Sequence, residues 1–148
     1  MRLLLQRVTR AKVSVGGDVV GEIGLGLLVL VGVGHEDTED VARTMAGKAV
    51  DLRIFRDDDG KTNRSLIDVD GSVLAISQFT LFADTRKGRR PSFLDAAAPE
   101  QGDALYKVFC AAVEERGVIV ARGIFGAEMQ VELVNDGPMT IWLDSAGS

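Results

Sequence analysis

Histidine and cysteine are almost missing from this chain, with one of each, His35 and Cys110, among 148 residues. A lone thiol forms no intrachain disulfide and fits a reducing compartment better than a secreted framework, so the chain reads as cytoplasmic. One imidazole and one thiol cannot assemble a His/Cys metal centre within a subunit, and neither stands at ligand spacing from a partner. His35 reads as an exposed loop residue at a helix start, and Cys110, midway along a helix, as a small hydrophobe. Long apolar runs are lacking too. The longest, residues 23 to 33, is rich in glycine and falls well short of the roughly 20 residues that cross a bilayer. The leader-like start is interrupted by Arg7, Arg10 and Lys12 before an apolar h-region forms, so neither targeting nor a membrane partner is expected.

Excess basic charge is absent as well. The 17 Lys and Arg against 22 Asp and Glu leave a formal net charge of -5, which argues against wholesale electrostatic capture of nucleic acid. No DNA partner is expected, and any RNA contact has to be local. One segment qualifies: Arg86, Lys87, Arg89 and Arg90 crowd around Gly88. On residues alone this is either a solvated loop or a phosphate contact.

What is present is an ordinary globular composition, 46% hydrophobic and 26% charged, in a length that fits one domain over residues 1–148. Residues 3 to 8 and 12 to 15 read as strands, Gly16-Gly17-Asp18 as a hairpin turn, and residues 27 to 33 as a buried strand. From residue 37 to about 52 the period changes. Val41, Met45, Ala49 and Leu52 share a helical face, and Asp37 is placed to cap the first amides. Residues 72 to 77 and 79 to 83 return to strand character on either side of Gln78. A second helix begins with Pro99 in its first position, carries Leu105, Val108, Phe109, Ala112 and Val113 on its apolar stripe, and stops at Gly117. Three more strands follow at 118 to 121, 129 to 134 and 139 to 143. The fold class is α+β with a mostly antiparallel, barrel-like sheet and two main amphipathic helices.

Two nucleotide or metal motifs fail on spacing. Gly60-Lys61-Thr62 resembles the end of a phosphate-binding loop, but Phe55 occupies the place of its first glycine. Asp57 and Asp59 before Gly60 suggest a calcium loop, yet Phe55 and Leu66 fall at its first and last ligand positions. The paired glycines Gly24, Gly26 and Gly32, Gly34 lack the third member of a dinucleotide fingerprint. No cofactor is implied.

Two other segments carry chemistry. Ser77-Gln78-Phe79-Thr80-Leu81 sets hydroxyl and amide groups in an apolar strand pair, which is explained either by hydrogen bonding across the sheet or by the floor of a polar-substrate pocket. Asn135-Asp136-Gly137-Pro138-Met139-Thr140 joins two strands. Its Gly-Pro bond reads as an ordinary trans turn or as a cis bond that turns both carbonyls to one side.

Ser77-Gln78-Phe79-Thr80 and Asn135-x-Gly137-Pro138-x-Thr140, in this order and separation, resemble the signature motifs of the D-aminoacyl-tRNA deacylase family. Gln6-Arg7-Val8, residues 84 to 93 and Gly123-x-Phe125-Gly126-Ala127-x-Met129 extend the likeness over nearly the whole chain, with Met139 standing where valine is expected. The resemblance implies a homodimer that proofreads translation by hydrolysing D-aminoacyl-tRNA and glycyl-tRNA, including glycine mischarged on alanine tRNA. It implies that a cis Gly137-Pro138 loop enters the partner's pocket, grips the α-amino group through its carbonyls and rejects L-amino acids. Ser77, Gln78, Phe79 and Thr80 become the catalytic segment. Gly137, Pro138, Asn135, Thr140, Phe125 and Met129 become substrate-binding residues, as does Arg7, which holds the loop across the interface. Arg86, Lys87, Arg89 and Arg90 become contacts to tRNA phosphates. Two readings of other classes stand beside it: a non-catalytic RNA-binding module, and a small-molecule hydrolase without tRNA dependence.

Overall fold

The computed structural model describes residues 1–147. Strand β1 (Arg2–Val15) is its spine. On one side it pairs antiparallel with β3 (Gly26–Gly32) along its first half and with β2 (Asp18–Ile23) along its second. The turn to β2 needs two consecutive residues with positive φ, and Gly16 and Gly17 supply them at +58° and +88°. On its other side β1 pairs along its length with β8 (Gln130–Asp144). Helix α1 (Glu39–Asp51) and the small hairpin β4 (Phe55–Arg56) and β5 (Thr62–Arg64) lead from β3 to its parallel neighbour β6 (Ser72–Ser77). Helix α2 (Pro99–Glu115) then leads to β7 (Val120–Arg122), parallel to β6. The main sheet runs β2-β1-β3-β6-β7 with β8 beside β1. It nearly closes on itself, since a Cβ added at Gly21 of β2 would lie 2.7 Å from the Arg122 carbonyl of β7. Among the described residues, no helix is long and apolar enough to cross a membrane.

The pleat divides the interior into two cores. Successive side chains point to opposite faces, so Val73 and Ala75 of β6 pack under the helices while Leu74 and Ile76 pack inside the curl of the sheet. Along β1 the phase changes. Leu3 and Leu5 face the helices, yet Val8, Ala11 and Val13 all face the curl. The pairing with β8 slips between Val8 and Arg10, and the extra residue Thr9 turns the odd positions over. The segments 3 to 8 and 12 to 15 are therefore one strand carrying a bulge. Each fully buried leucine or valine adds about 1.5–3 kcal/mol of hydrophobic stabilisation.

Four local expectations differ from the structure. Thr38, not Asp37, caps α1, its hydroxyl accepting the Val41 amide at 3.3 Å. The Asp37 carboxylate is taken by the Met1 α-ammonium at 2.5 Å and the Gly34 amide at 2.7 Å. Residues Phe79–Phe82 form a 3-10 turn and not a strand. Residues 129 to 143 are not two strands joined by a free loop, because β8 runs through. Between Gln6 paired with Thr140 and Val8 paired with Asn135, the surplus residues on β8 bulge out. The Gly137-Pro138 bond in that bulge is trans, as are all peptide bonds among the described residues, where the resemblance implied a cis bond.

Candidate active site

Strands β3 and β6 end side by side, and beyond their carboxyl ends the chain diverges around a cavity of about 540 Å³. A crevice outside the carboxyl ends of parallel strands is the usual ligand position in such sheets. Its floor is Ile76, Ser77, Gln78 and Phe79, and the first turn of α2 brings in Pro99 and Gly102. Opposite stand Phe125, Gly126, Ala127 and Met129 from the connection between β7 and β8. The structure thus brings together Ser77, Gln78, Phe79, Phe125 and Met129 from the sequence analysis. Among the described residues, no ionisable side chain lines the cavity.

The polar groups at its floor are neutral. The Gln78 amide hydrogen is used by the Val31 carbonyl at 2.7 Å, and intraturn bonding starts where Leu81 N–H donates to the Gln78 carbonyl at 3.2 Å. The Phe79 and Thr80 amides lie ahead of that bond, among the end groups a helical turn leaves free. Thr80 is exposed, and its hydroxyl accepts from the Gln78 side-chain amide. His35 is exposed elsewhere, with its Nε2 against the Leu94 carbonyl at 2.5 Å. Burial pushes the Cys110 thiol up to about 11, which keeps it neutral within α2.

The basic segment leads into this cavity. Asp84 and Ser92 exchange two backbone hydrogen bonds of 2.7 and 2.9 Å, closing residues 85 to 91 into an exposed loop. Asp84 also grips the Arg86 guanidinium at 2.9 and 2.8 Å, and hydrogen bonds from Arg86 hold its carboxyl down at about 2. Lys87, Arg89 and Arg90 have no ion pair among the described residues. Just past the loop, Phe93 meets Phe79 edge to face, with ring centroids 5.2 Å apart, and both rings border the cavity.

The Gly137-Pro138 bulge does not line the cavity of its own chain. It is held elsewhere, by bonds among its own residues and by Arg7 and Arg56. Asn135 Nδ2 donates to the Arg7 and Met139 carbonyls at 3.0 and 3.1 Å, and Thr140 Oγ1 donates to Asn135 Oδ1 at 3.1 Å. Arg7 is 3% exposed and donates to the Ile54 and Asp136 carbonyls at 2.5 and 3.1 Å. It therefore fastens the loop of its own chain. The Asp136 carboxylate bridges Arg7 and Arg56 at 3.3 and 3.0 Å. Gly137 sits at φ +112°, and a Cβ there would run into the Arg7 guanidinium. The sequence offered no signal for Arg56, whose partner Asp136 lies 80 residues away, nor for Ala97 and Gly102, which line the cavity but are small residues without a chemical signature.

The model of the D-Tyr-tRNA(Tyr) deacylase family matches residues 4–144. The chain belongs to that family. D-aminoacyl-tRNA deacylases of Deinococcus radiodurans and Thermus aquaticus are 60% and 57% identical over 144 and 146 residues. These alignments cover 97% and 99% of this chain, and 99% and 96% of the relatives. Among solved structures, a c-Myc DNA Unwinding Element Binding Protein superposes with a TM-score of 0.92 at 41% identity, over 98% of this chain and 99% of that one. Residues 77 to 80 and 135 to 140 both lie within the matched range.

Proposed function

We infer that the chain hydrolyses the ester joining a D-amino acid to the terminal adenosine of tRNA. The observation that carries this is a cavity of nucleoside size, bordered by aromatic rings and free amides, with a basic loop just ahead of its lining residue Phe93 in the chain. The Phe79 and Phe93 rings and the Phe125–Met129 wall suit the terminal adenosine, and Lys87, Arg89 and Arg90 suit the phosphates of the acceptor end. Membership of the deacylase family supplies the reaction class.

With no base in the cavity, the reaction is one of positioning. The Phe79 amide donates to the oxyanion that develops on the ester carbonyl. The vicinal ribose 2'-hydroxyl of the substrate orients or activates the attacking water, and ester cleavage releases free tRNA and the amino acid. Thr80 lacks an activating base and serves the segment's geometry rather than as nucleophile.

Chirality is read in a homodimer, where the Gly137-Pro138 bulge of one subunit caps the other's cavity. Its main-chain carbonyls take the α-amino group, and an L side chain meets the loop while a D side chain leaves outward. Such a pocket ignores side-chain identity, so many D-amino acids are substrates. Glycine, which has no side chain to exclude, is cleaved too, including glycine on alanine tRNA. The reaction belongs in the cytosol, where the lone buried thiol stays reduced. The test is to assay D-aminoacyl-tRNA, its L counterpart and a free D-amino acid ester side by side. Cleavage of the first alone is the expected result. Binding without cleavage would leave an RNA-binding module, and cleavage of the free ester at equal rate a small-molecule hydrolase.

A further inference from the structure

Strands β6 and β7 separate just where the cavity begins. Their last paired residues are Ala75 and Arg122, after which Ile76 to Phe79 become the floor and Gly123 to Met129 swing away as the wall. One carbonyl sits at that fork. The Ala75 oxygen accepts the Gly123 amide at 3.2 Å and the Tyr106 hydroxyl at 2.7 Å. Tyr106, in the middle of α2, is 4% exposed. Burial raises its phenol well above the ordinary value, so the hydroxyl remains a donor throughout the working pH range. The fork is tightly packed as well, because a Cβ at Gly123 would lie 2.6 Å from the Met129 sulfur and 3.2 Å from Ile76 Cδ1, both cavity residues.

We propose that Tyr106 is a positioning residue for the deacylation, holding floor and wall in register through the Ala75 carbonyl. This rests on the functional reading above. The phenol touches no substrate. Its hydrogen bond ties α2 to the residue that precedes Ile76-Ser77-Gln78-Phe79 and, through the shared acceptor, to Gly123. A reaction without an acid or base depends on placement, and a small displacement of a reacting group lowers the rate more than it lowers binding.

Tyr106→Phe keeps the buried ring and leaves Ala75 its bond from Gly123, so the variant folds. On matched D-aminoacyl-tRNA, kcat is expected to fall about five- to tenfold, the loss of one buried hydrogen bond expressed in the transition state, with KM within about twofold. Tyr106 is the sole tyrosine, so protein grown with 3-fluorotyrosine shows a single fluorine resonance. It is expected to shift when a non-hydrolysable amide analogue of a D-aminoacyl adenosine fills the cavity. A lowered melting temperature with wild-type kcat, or a fluorine signal unmoved by the bound analogue, would make Tyr106 a structural residue only and overturn the proposal. If wild-type protein leaves the ester intact, the functional reading falls and this inference with it. If wild type is active and Tyr106→Phe matches it, only the inference falls.

Discussion

Thr80 is the obvious alcohol in the signature segment, but its exposed hydroxyl accepts from Gln78, and among the described residues no ionisable side chain lines the cavity beside it. An alcohol without a base attacks an ester poorly. Thr80→Ala is therefore expected to keep deacylation within about tenfold of wild type, whereas a substrate ending in 2'-deoxyadenosine slows by about a hundredfold or more. Single-turnover rates on matched D-aminoacyl-tRNAs measure both. A trapped acyl-threonine, with activity abolished in Thr80→Ala and binding intact, would restore Thr80 as nucleophile.

Among the elements, the loop between Asp84 and Ser92 has the most separable role. Arg86 is occupied by Asp84, so three of its four cations are free to meet phosphates. Replacing Arg86, Lys87, Arg89 and Arg90 with alanine is expected to flatten the dependence of tRNA affinity on salt by about two units of log-log slope, close to 0.7 per freed phosphate contact on a single strand. An unchanged slope in filter-binding titrations would mark the segment as a solvated loop. The loop's base has its own pH signature. The Asp84 carboxyl is depressed from 3.8 to about 2, so its support is complete above the ordinary value and is lost as pH falls through about 2. Amide resonances of residues 84 to 92 should accordingly stay unchanged from pH 8 to 4 and move only near pH 2. A midpoint near 4 would show that Arg86 does not hold the carboxylate in solution.

For the whole molecule the open matter is how the two motifs meet, because within one chain the Gly137-Pro138 bulge and the Ser77–Phe79 cavity are apart. A dimer joining one subunit's bulge to the other's cavity makes a mixing experiment decisive. Gly137→Ala strains the bulge, since L side chains rarely adopt φ +112° and Arg7 occupies the space. Ala97→Phe fills the cavity. Each homodimer is expected to be nearly inactive. After subunit exchange, half the dimers are mixed and hold one intact site of two, so activity should recover to about a quarter of wild type. No recovery in an equilibrated mixture, or a monomer by sedimentation, would confine the site to one chain.

The amino-acid sequence by itself determined the elements whose signals are local. Helix α2 starts at Pro99 and ends against Gly117, where φ is +83°, because proline needs no donor in a first turn and glycine adopts the left-handed cap freely. Gly16-Gly17 set the first hairpin for the same conformational reason. With one histidine and one cysteine, the sequence left no His/Cys metal set to expect within a subunit. What depended on partners distant in sequence was decided only by the tertiary structure. Asp37 resembles a helix cap until the Met1 ammonium claims it. Thr9 looks like a break between strands, and only the pairing with β8 makes it a bulge that turns the side chains over. The stretch around Gly137 reads as a turn, but β1 holds it within one strand and leaves its Gly-Pro bond trans. The cavity itself has no sequence pattern. It exists because β6 and β7 diverge at the Ala75 carbonyl, and alanine and glycine leave space there without any chemistry to announce it.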